Sequence, residues 1–186
     1  MPKIKLPYGV ADPKLSDSTM RDGAQMAGVV MKKSHKLQIY EFLHRLGIEK
    51  TEIFLYNDRD RIVAREMLNR GYEKPEVTAW ARANPKDIDL VLAMDGIKET
   101  GILLSTSDIH ITHKIGITRE EAEKRYLVAV QYATDHGLKV RCHLEDMTRS
   151  DIEGFTIPLV QKLLKIAPDT IVRICDTLNF GIPFPE

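Results

Sequence analysis

The chain has 186 residues, 43% hydrophobic and 29% charged, ordinary proportions for a soluble globular domain with a real core. Its 27 basic residues balance its 27 acidic ones, so no net field draws it to nucleic acid or an anionic membrane, and a charged substrate must be caught by local groups. No apolar run approaches the roughly 18 residues of a membrane span, no secretory leader is seen, and Cys142 and Cys175 read as reduced thiols on neighbouring buried strands of a cytoplasmic protein.

From the N-terminus, a β-rich run at 14–20 leads to a helix with Ser34 as its cap, Leu37, Tyr40, Leu43 and Leu46 at helical spacing, and Gly47 as its stop. A run at 51–56 precedes a helix over 58–69 that stops at Gly71. A third run at 76–81 precedes a helix opened by Asn84-Pro85, a cap followed by the residue favoured at the first helical position. After the run at 101–107, Thr118 and Glu121 form a capping box for an amphipathic helix ending at Gly137. The run at 139–145 is followed by a helix over about 150–166, softly broken at Pro158, and a sixth run occupies 170–177.

Six strands alternating with five helices imply parallel pairing with right-handed crossovers, in either a doubly wound sheet or a barrel. Chemically capable groups end several strands: Arg21 and Asp22, Arg82, Ser105 to His110, Glu145 and Asp146, Asp176 and Thr177. An open sheet concentrates its site at one switch point, whereas a barrel aims every strand end at a shared centre. Contributions from five strands therefore favour an α/β fold of the (β/α)8 TIM-barrel type, with about six of its eight strands present. Residues 1–186 read as one barrel domain that stops before strands seven and eight. Arg141, His143 and Glu145 alternate with Val140, Cys142 and Leu144, which puts three ionisable groups on one face.

The segment Asp17-Ser-Thr-Met-Arg-Asp-Gly-Ala-Gln25, with Ser105-Thr-Ser-Asp-Ile-His110, Glu145-Asp-Met-Thr-Arg-Ser-Asp151 and Asp176-Thr177 in order behind it, resembles the metal-dependent acyltransferase and lyase barrels. That group includes isopropylmalate, homocitrate and citramalate synthases and hydroxymethylglutaryl-CoA lyase; the likeness is nearest the isopropylmalate and homocitrate synthase branch. It implies Asp22 as ligand of a divalent cation (Mg, Mn or Zn) and Arg21 as the catalytic cation beside a substrate carbonyl. It implies Glu145 in acid–base chemistry, and Arg21, Gln25, Arg82, His110 and Thr177 around the substrate. A hard cation held by oxygen and imidazole can polarise a chelated 2-oxo acid, and a guanidinium can stabilise the alkoxide that forms. The implied partners are acetyl-CoA, a 2-oxo acid and a second copy of the chain in a homodimer, with no nucleic acid and no membrane.

Taken singly, these residues have plainer readings. Arg-Asp-Gly alone is a charged turn, His110 and His113 loop or packing histidines, Glu145-Asp146 a helix-entry pair favoured by the dipole, and 58–61 a solvated helix start. Cys142 and Cys175 are small core residues rather than nucleophiles. Arg149 is placed to hold Glu145 or Asp146. Two departures stand out: Ala24 occupies a position where condensing relatives carry glutamate, and Leu178-Asn179 replaces a usual glycine turn, which asparagine tolerates. The His-x-His pair expected on a seventh strand lies beyond Glu186. Three functions follow: a Claisen-type acetyl transferase; a retro-aldol or retro-Claisen lyase, for which Ala24 leaves more room; and a catalytically inactive fragment or assembly module.

Overall fold

The computed structural model describes residues 4–6, 9–11 and 13–181. Two short strands, β1 (Ile4–Leu6) and β2 (Gly9–Ala11), pair antiparallel. The main sheet has six strands in chain order: β3 (Ser16–Asp17), β4 (Lys50–Ile53), β5 (Glu76–Arg82), β6 (Glu99–Ser105), β7 (Lys139–Glu145) and β8 (Ile171–Ile174). Every described pairing within it is parallel. Helices α1 (Lys33–Arg45), α2 (Asp58–Asn69), α3 (Pro85–Leu92), α4 (Arg119–Asp135) and α5 (Ile157–Ile166) fill the crossovers. A doubly wound sheet reverses strand order at its switch point; this order never reverses, so the fold is α/β with six strands of a (β/α)8 barrel. No helix among the described residues is long and apolar enough to cross a membrane.

The chain divides into two compact units, 1–78 and 79–186. In the first, α1 buries Lys36, Tyr40 and Leu43, and α2 buries Val63, Ala64 and Met67. Lys36 and Lys33 reach across to Asp60 and Glu66 of α2. These tethers help explain why α1 starts at Lys33 behind Lys32, with no side-chain cap. Ser34 therefore lies inside the first turn and is not the cap that its identity suggests: tertiary packing overrides a local preference. The first strand is also shorter than the run 14–20, because Asp17 accepts from the backbone N–H (3.1 Å) and hydroxyl (2.6 Å) of Thr19. That aspartate turn bends the chain out of the sheet, and the backbone N–H groups of Arg21 and Asp22 then donate to the Ser18 carbonyl.

In the second unit, Asn84 and Thr118 cap α3 and α4 as expected, accepting from the N–H of Asp87 (2.9 Å) and Glu121 (3.2 Å). The helix expected over 150–166 comes in two pieces. Asp151 caps a π-turn over Ile152–Thr156 through the Gly154 N–H at 2.9 Å, and α5 begins only at Ile157. Pro158 sits in the first turn of α5, where its missing N–H costs nothing, so it starts the helix and does not break it. The last strand ends at Ile174 and not at Thr177, because the chain there wraps round Asp176, which accepts from the N–H of Phe180 (2.8 Å) and Gly181 (2.9 Å). Cys142 is buried and Cys175, just past β8, is half-buried; both carry thiols.

Strands β6 and β7 run in register from Glu99 opposite Lys139 to Ser105 opposite Glu145. Parallel partners share a face, so Gly101, Leu103 and Ser105 lie on the side of Arg141, His143 and Glu145. On the other side, buried Ile102, Leu104, Val140, Cys142 and Leu144 meet α4, where the buried Tyr126 hydroxyl lies 2.8 Å from the Ile102 carbonyl and 3.0 Å from that of His143. Arg141 is fully buried and pairs with Glu99 at 3.1 Å. His143 lies directly over Gly101, whose added Cβ would fall 2.7 Å from its Nε2.

Gly101→Ala should therefore overpack this face and destabilise the full-length protein by about 1–3 kcal/mol. The double variant Gly101→Ala/His143→Ala should recover part of that loss in urea unfolding. Equal midpoints for Gly101→Ala and wild type would show that the ring is not confined.

Candidate active site

Within the first unit, the turn after β3 carries Arg21 and Asp22. Arg21 lies on Glu52, a β4 carboxylate with no exposed surface, through Nε at 3.0 Å and Nη2 at 2.9 Å, while Nη1 reaches Asp22 at 2.9 Å. Glu52 thus orients the guanidinium, and the Asp22 side chain stays 64% exposed, with Oδ2 turned from that contact. Gln25 closes a single 3-10 turn over Gly23–Gln25 and is exposed. Among the described residues, no three His, Cys, Asp or Glu side chains gather as a metal ion needs. Asp22 offers one hard oxygen donor, so the described residues do not by themselves make a complete cation site.

The second unit holds the denser constellation. Register places Ser105 beside Glu145, and the Ser105 hydroxyl donates to the Glu145 carboxylate. Beyond Ser105 the chain forms a π-turn over His110–Ile115, closed by Gly116 in a left-handed conformation (φ 74°). Such turns recur at functional sites. This one brings two side chains, four residues apart, toward the same carboxylate. Lys114 Nζ donates to both Glu145 oxygens at 2.7 and 2.9 Å, and His110 Nδ1 lies 3.7 Å from Glu145 and 3.3 Å from the Ser105 hydroxyl oxygen. Burial pushes the Glu145 carboxyl up, but hydrogen bonds from Lys114 and Ser105 and the charges of Lys114 and His110 outweigh it and hold it below the ordinary glutamate range. Glu145 is therefore a carboxylate at neutral pH, able to accept a proton.

Asp146 differs from its neighbour. It sits in a left-handed backbone conformation (φ 58°), and its side chain has no exposed surface. Its carboxylate accepts from Arg149 Nε at 2.8 Å and Nη2 at 2.6 Å and from the Ser107 hydroxyl, while its own N–H donates to the Thr177 hydroxyl at 2.9 Å. The Arg149 hydrogen bonds, against burial and with help from Ser107 and His110, depress its pKa. His110 Nε2 lies 3.6 Å from it. Arg149 thus holds Asp146, not Glu145.

Of the residues singled out in the sequence, the second unit brings His110, Glu145, Asp146, Arg149 and Thr177 together. Arg82 lies elsewhere in that unit, clamped by buried Asp87 through Nε (2.7 Å) and Nη2 (3.0 Å), with its side chain still 65% exposed. His113 is exposed, as a loop histidine would be. Glu52, Ser107 and Lys114 carry geometry that the motifs did not assign. A glutamate inside the apolar run Thr51-Glu-Ile-Phe-Leu55 was a usable signal for Glu52; nothing local marks Lys114, because its role depends on the π-turn.

The HMGL-like family model matches residues 12–185. A citrate (Re)-synthase of Clostridium kluyveri is 42% identical over 191 residues, covering 97% of this chain and 42% of its own length. A citrate (Re)-synthase of Syntrophus aciditrophicus is 41% identical over 180 residues, covering 92% and 28%. Among solved structures, the HMG-CoA lyase of Bacillus subtilis superposes with a TM-score of 0.72 at 20% identity, over 92% of this chain and 59% of that one, a likeness of fold. The chain thus spans less than half the length of these two curated relatives.

Asp146→Asn should weaken both Arg149 contacts and change the pH dependence of stability. A carboxylate whose folded pKa is depressed contributes stability that is present above its unfolded value of about 3.9 and lost as pH falls through the folded value. Wild type should therefore lose stability steeply below about pH 4, while Asp146→Asn should start lower at neutral pH and fall less. Parallel curves for the two would remove Asp146 from that role.

Proposed function

Because the chain belongs to the HMGL-like family, we propose that the full-length protein is an acyltransferase that condenses acetyl-CoA with a 2-oxo acid by Claisen chemistry. The observation that carries this reading is Glu145, an ionised carboxylate at a strand end, in contact with Ser105 and Lys114 and close to His110. An acetyl thioester becomes a nucleophile only when a methyl proton is removed, and a fixed carboxylate–imidazole pair is suited to take it. The electron pair moves into the thioester carbonyl as an enolate, whose carbon attacks the keto carbon of the second substrate. The thioester then undergoes hydrolysis and free CoA leaves. The names of the relatives, citrate synthases, support condensation over cleavage.

In this proposal Glu145, with His110, handles the methyl proton. Arg21, steadied by buried Glu52, stabilises the alkoxide that develops on the 2-oxo acid. Gln25, Arg82 and Thr177 contact substrate; the Asp87 clamp would preset the Arg82 fork for a carboxylate. Asp22 contributes one ligand to a divalent cation, whose chemistry is to polarise the keto group.

With acetyl-CoA, Mg²⁺ or Mn²⁺ and a panel of 2-oxo acids, the full-length gene product should release free thiol. Glu145→Gln should lower kcat by about 10²–10⁴-fold while acetyl-CoA binding persists. No thiol release with any 2-oxo acid, or cleavage of 3-hydroxy-3-methylglutaryl-CoA without a second substrate, would overturn the assignment.

The depressed Glu145 pKa predicts a second result. The acidic limb of kcat/KM should lie below the ordinary glutamate value of about 4.3. Lys114→Ala removes the leading stabiliser of the charged form and leaves only Ser105 and His110 to oppose burial, so the limb should move to higher pH. An unmoved limb would mean that another group sets it.

A further inference from the structure

We propose that Ser105 is a positioning residue that fixes the tautomer of His110, leaving Nε2 as the free basic nitrogen; this rests on the proposed role of His110 and Glu145 in proton removal.

A serine hydroxyl has one hydrogen to donate and lone pairs with which to accept. Ser105 commits that hydrogen to Glu145, which as a carboxylate can only accept. The same oxygen lies 3.3 Å from His110 Nδ1. With its hydrogen spent, Ser105 can only accept from that nitrogen, so Nδ1 must carry a hydrogen. In the neutral imidazole the lone pair then falls on Nε2.

The surroundings favour the ring once it has taken a proton. His110 is enclosed, with 16% of its side chain exposed. The carboxylates around it are Glu145, 3.7 Å from Nδ1, and Asp146, 3.6 Å from Nε2. The cations facing the group, Lys114 and Arg149, are bound to those two carboxylates. When Nε2 takes a proton, the resulting imidazolium has a negative charge on either side, and its Nδ1–H already has an acceptor in Ser105. Nothing needs to rotate. If Nε2 carried the hydrogen instead, the Nδ1 lone pair would face a serine oxygen with no hydrogen to give it. The arrangement follows the logic by which a carboxylate orients a catalytic imidazole, here through an intervening hydroxyl supplied by the neighbouring strand.

The test reads the tautomer directly and needs no substrate. In full-length protein labelled with ¹⁵N-histidine, His110 is assigned by the resonance lost in His110→Gln. At a pH where the ring is neutral, two-bond ¹H–¹⁵N couplings should show the Nδ1–H form in wild type. Ser105→Ala should move the population toward Nε2–H, and Ser105→Thr, which keeps the hydroxyl, should restore Nδ1–H. An Nε2–H ring in wild type, or a Ser105→Ala ring that stays Nδ1–H, would overturn the proposal. Should Ser105→Ala fail to fold, wild type and Ser105→Thr still decide the matter. In turnover, Ser105→Ala should lower kcat by about 10-fold or more with little change in KM, and Ser105→Thr should recover it. A tautomer that shifts as expected in a protein that releases no thiol would leave this inference standing and overturn only the assigned reaction.

Discussion

The in-register pairing of β6 with β7 is the constraint from which the rest of the second unit follows. Because the side-chain period of a strand is two, one register decides at once which residues meet α4 and which meet the opposite side. Ile102, Leu104, Val140, Cys142 and Leu144 are buried, and Tyr126 contacts the backbones of both strands from α4. The same register sets Gly101 under His143 and Ser105 against Glu145. A slip of one residue would send Arg141, His143 and Glu145 into the apolar layer, so the hydrophobic packing that aligns the strands also aligns the chemistry at their ends. The Thr106 N–H, donating to the Glu145 carbonyl at 2.9 Å, extends the alignment into the loop that carries His110.

This arrangement places charge in the interior, where it is costly. Arg141 and Glu99 are buried together, and Glu52 is buried beneath Arg21. Burying an ion pair gains little over apolar residues of similar volume, whereas removing one partner leaves an uncompensated charge and costs several kcal/mol. Such pairs therefore do little to raise stability and much to fix where a guanidinium sits. For Arg21 the effect is direct: two of its nitrogens are bound to Glu52, whose side chain is fully buried, and one nitrogen remains for Asp22.

Much of the scaffold was legible in the chain because it is written in local patterns. The helix over Asp58–Asn69 and the strand over Lys139–Glu145 match their periodic runs end for end, and the Asn84 and Thr118 caps work as their chemistry requires. The boundaries that moved did so for reasons invisible to periodicity. Contacts with α2 start α1 ahead of Ser34, an aspartate turn cuts the first strand short, and Asp176 gathers the chain end after β8. At the site, Arg21, Asp22, His110 and Glu145 could be named from motifs, but their partners could not. Glu52 lies 31 residues from Arg21, and Lys114 lies 31 from Glu145. Only the strand order and the π-turn bring these pairs together.

Glu145 and Asp146 show how neighbours of nearly identical chemistry come to differ. The positive φ of Asp146, a conformation that costs a non-glycine residue of order 1–3 kcal/mol, turns its side chain away from the run of the strand. It is held there by Arg149, by Ser107 and by the Thr177 hydroxyl that takes its N–H. Bound on both oxygens and sealed from solvent, Asp146 has no capacity left to exchange a proton, and its charge serves as a fixed field for His110. Glu145 keeps the extended backbone of β7, and its strongest partner is Lys114, whose side chain is 52% exposed. A partner with access to water can withdraw, and a carboxylate whose partner withdraws becomes a stronger base at the moment a substrate takes that place. The strain at Asp146 thus divides an acidic pair into one rigid charge and one exchangeable base, a division that suits the deprotonation proposed for this site.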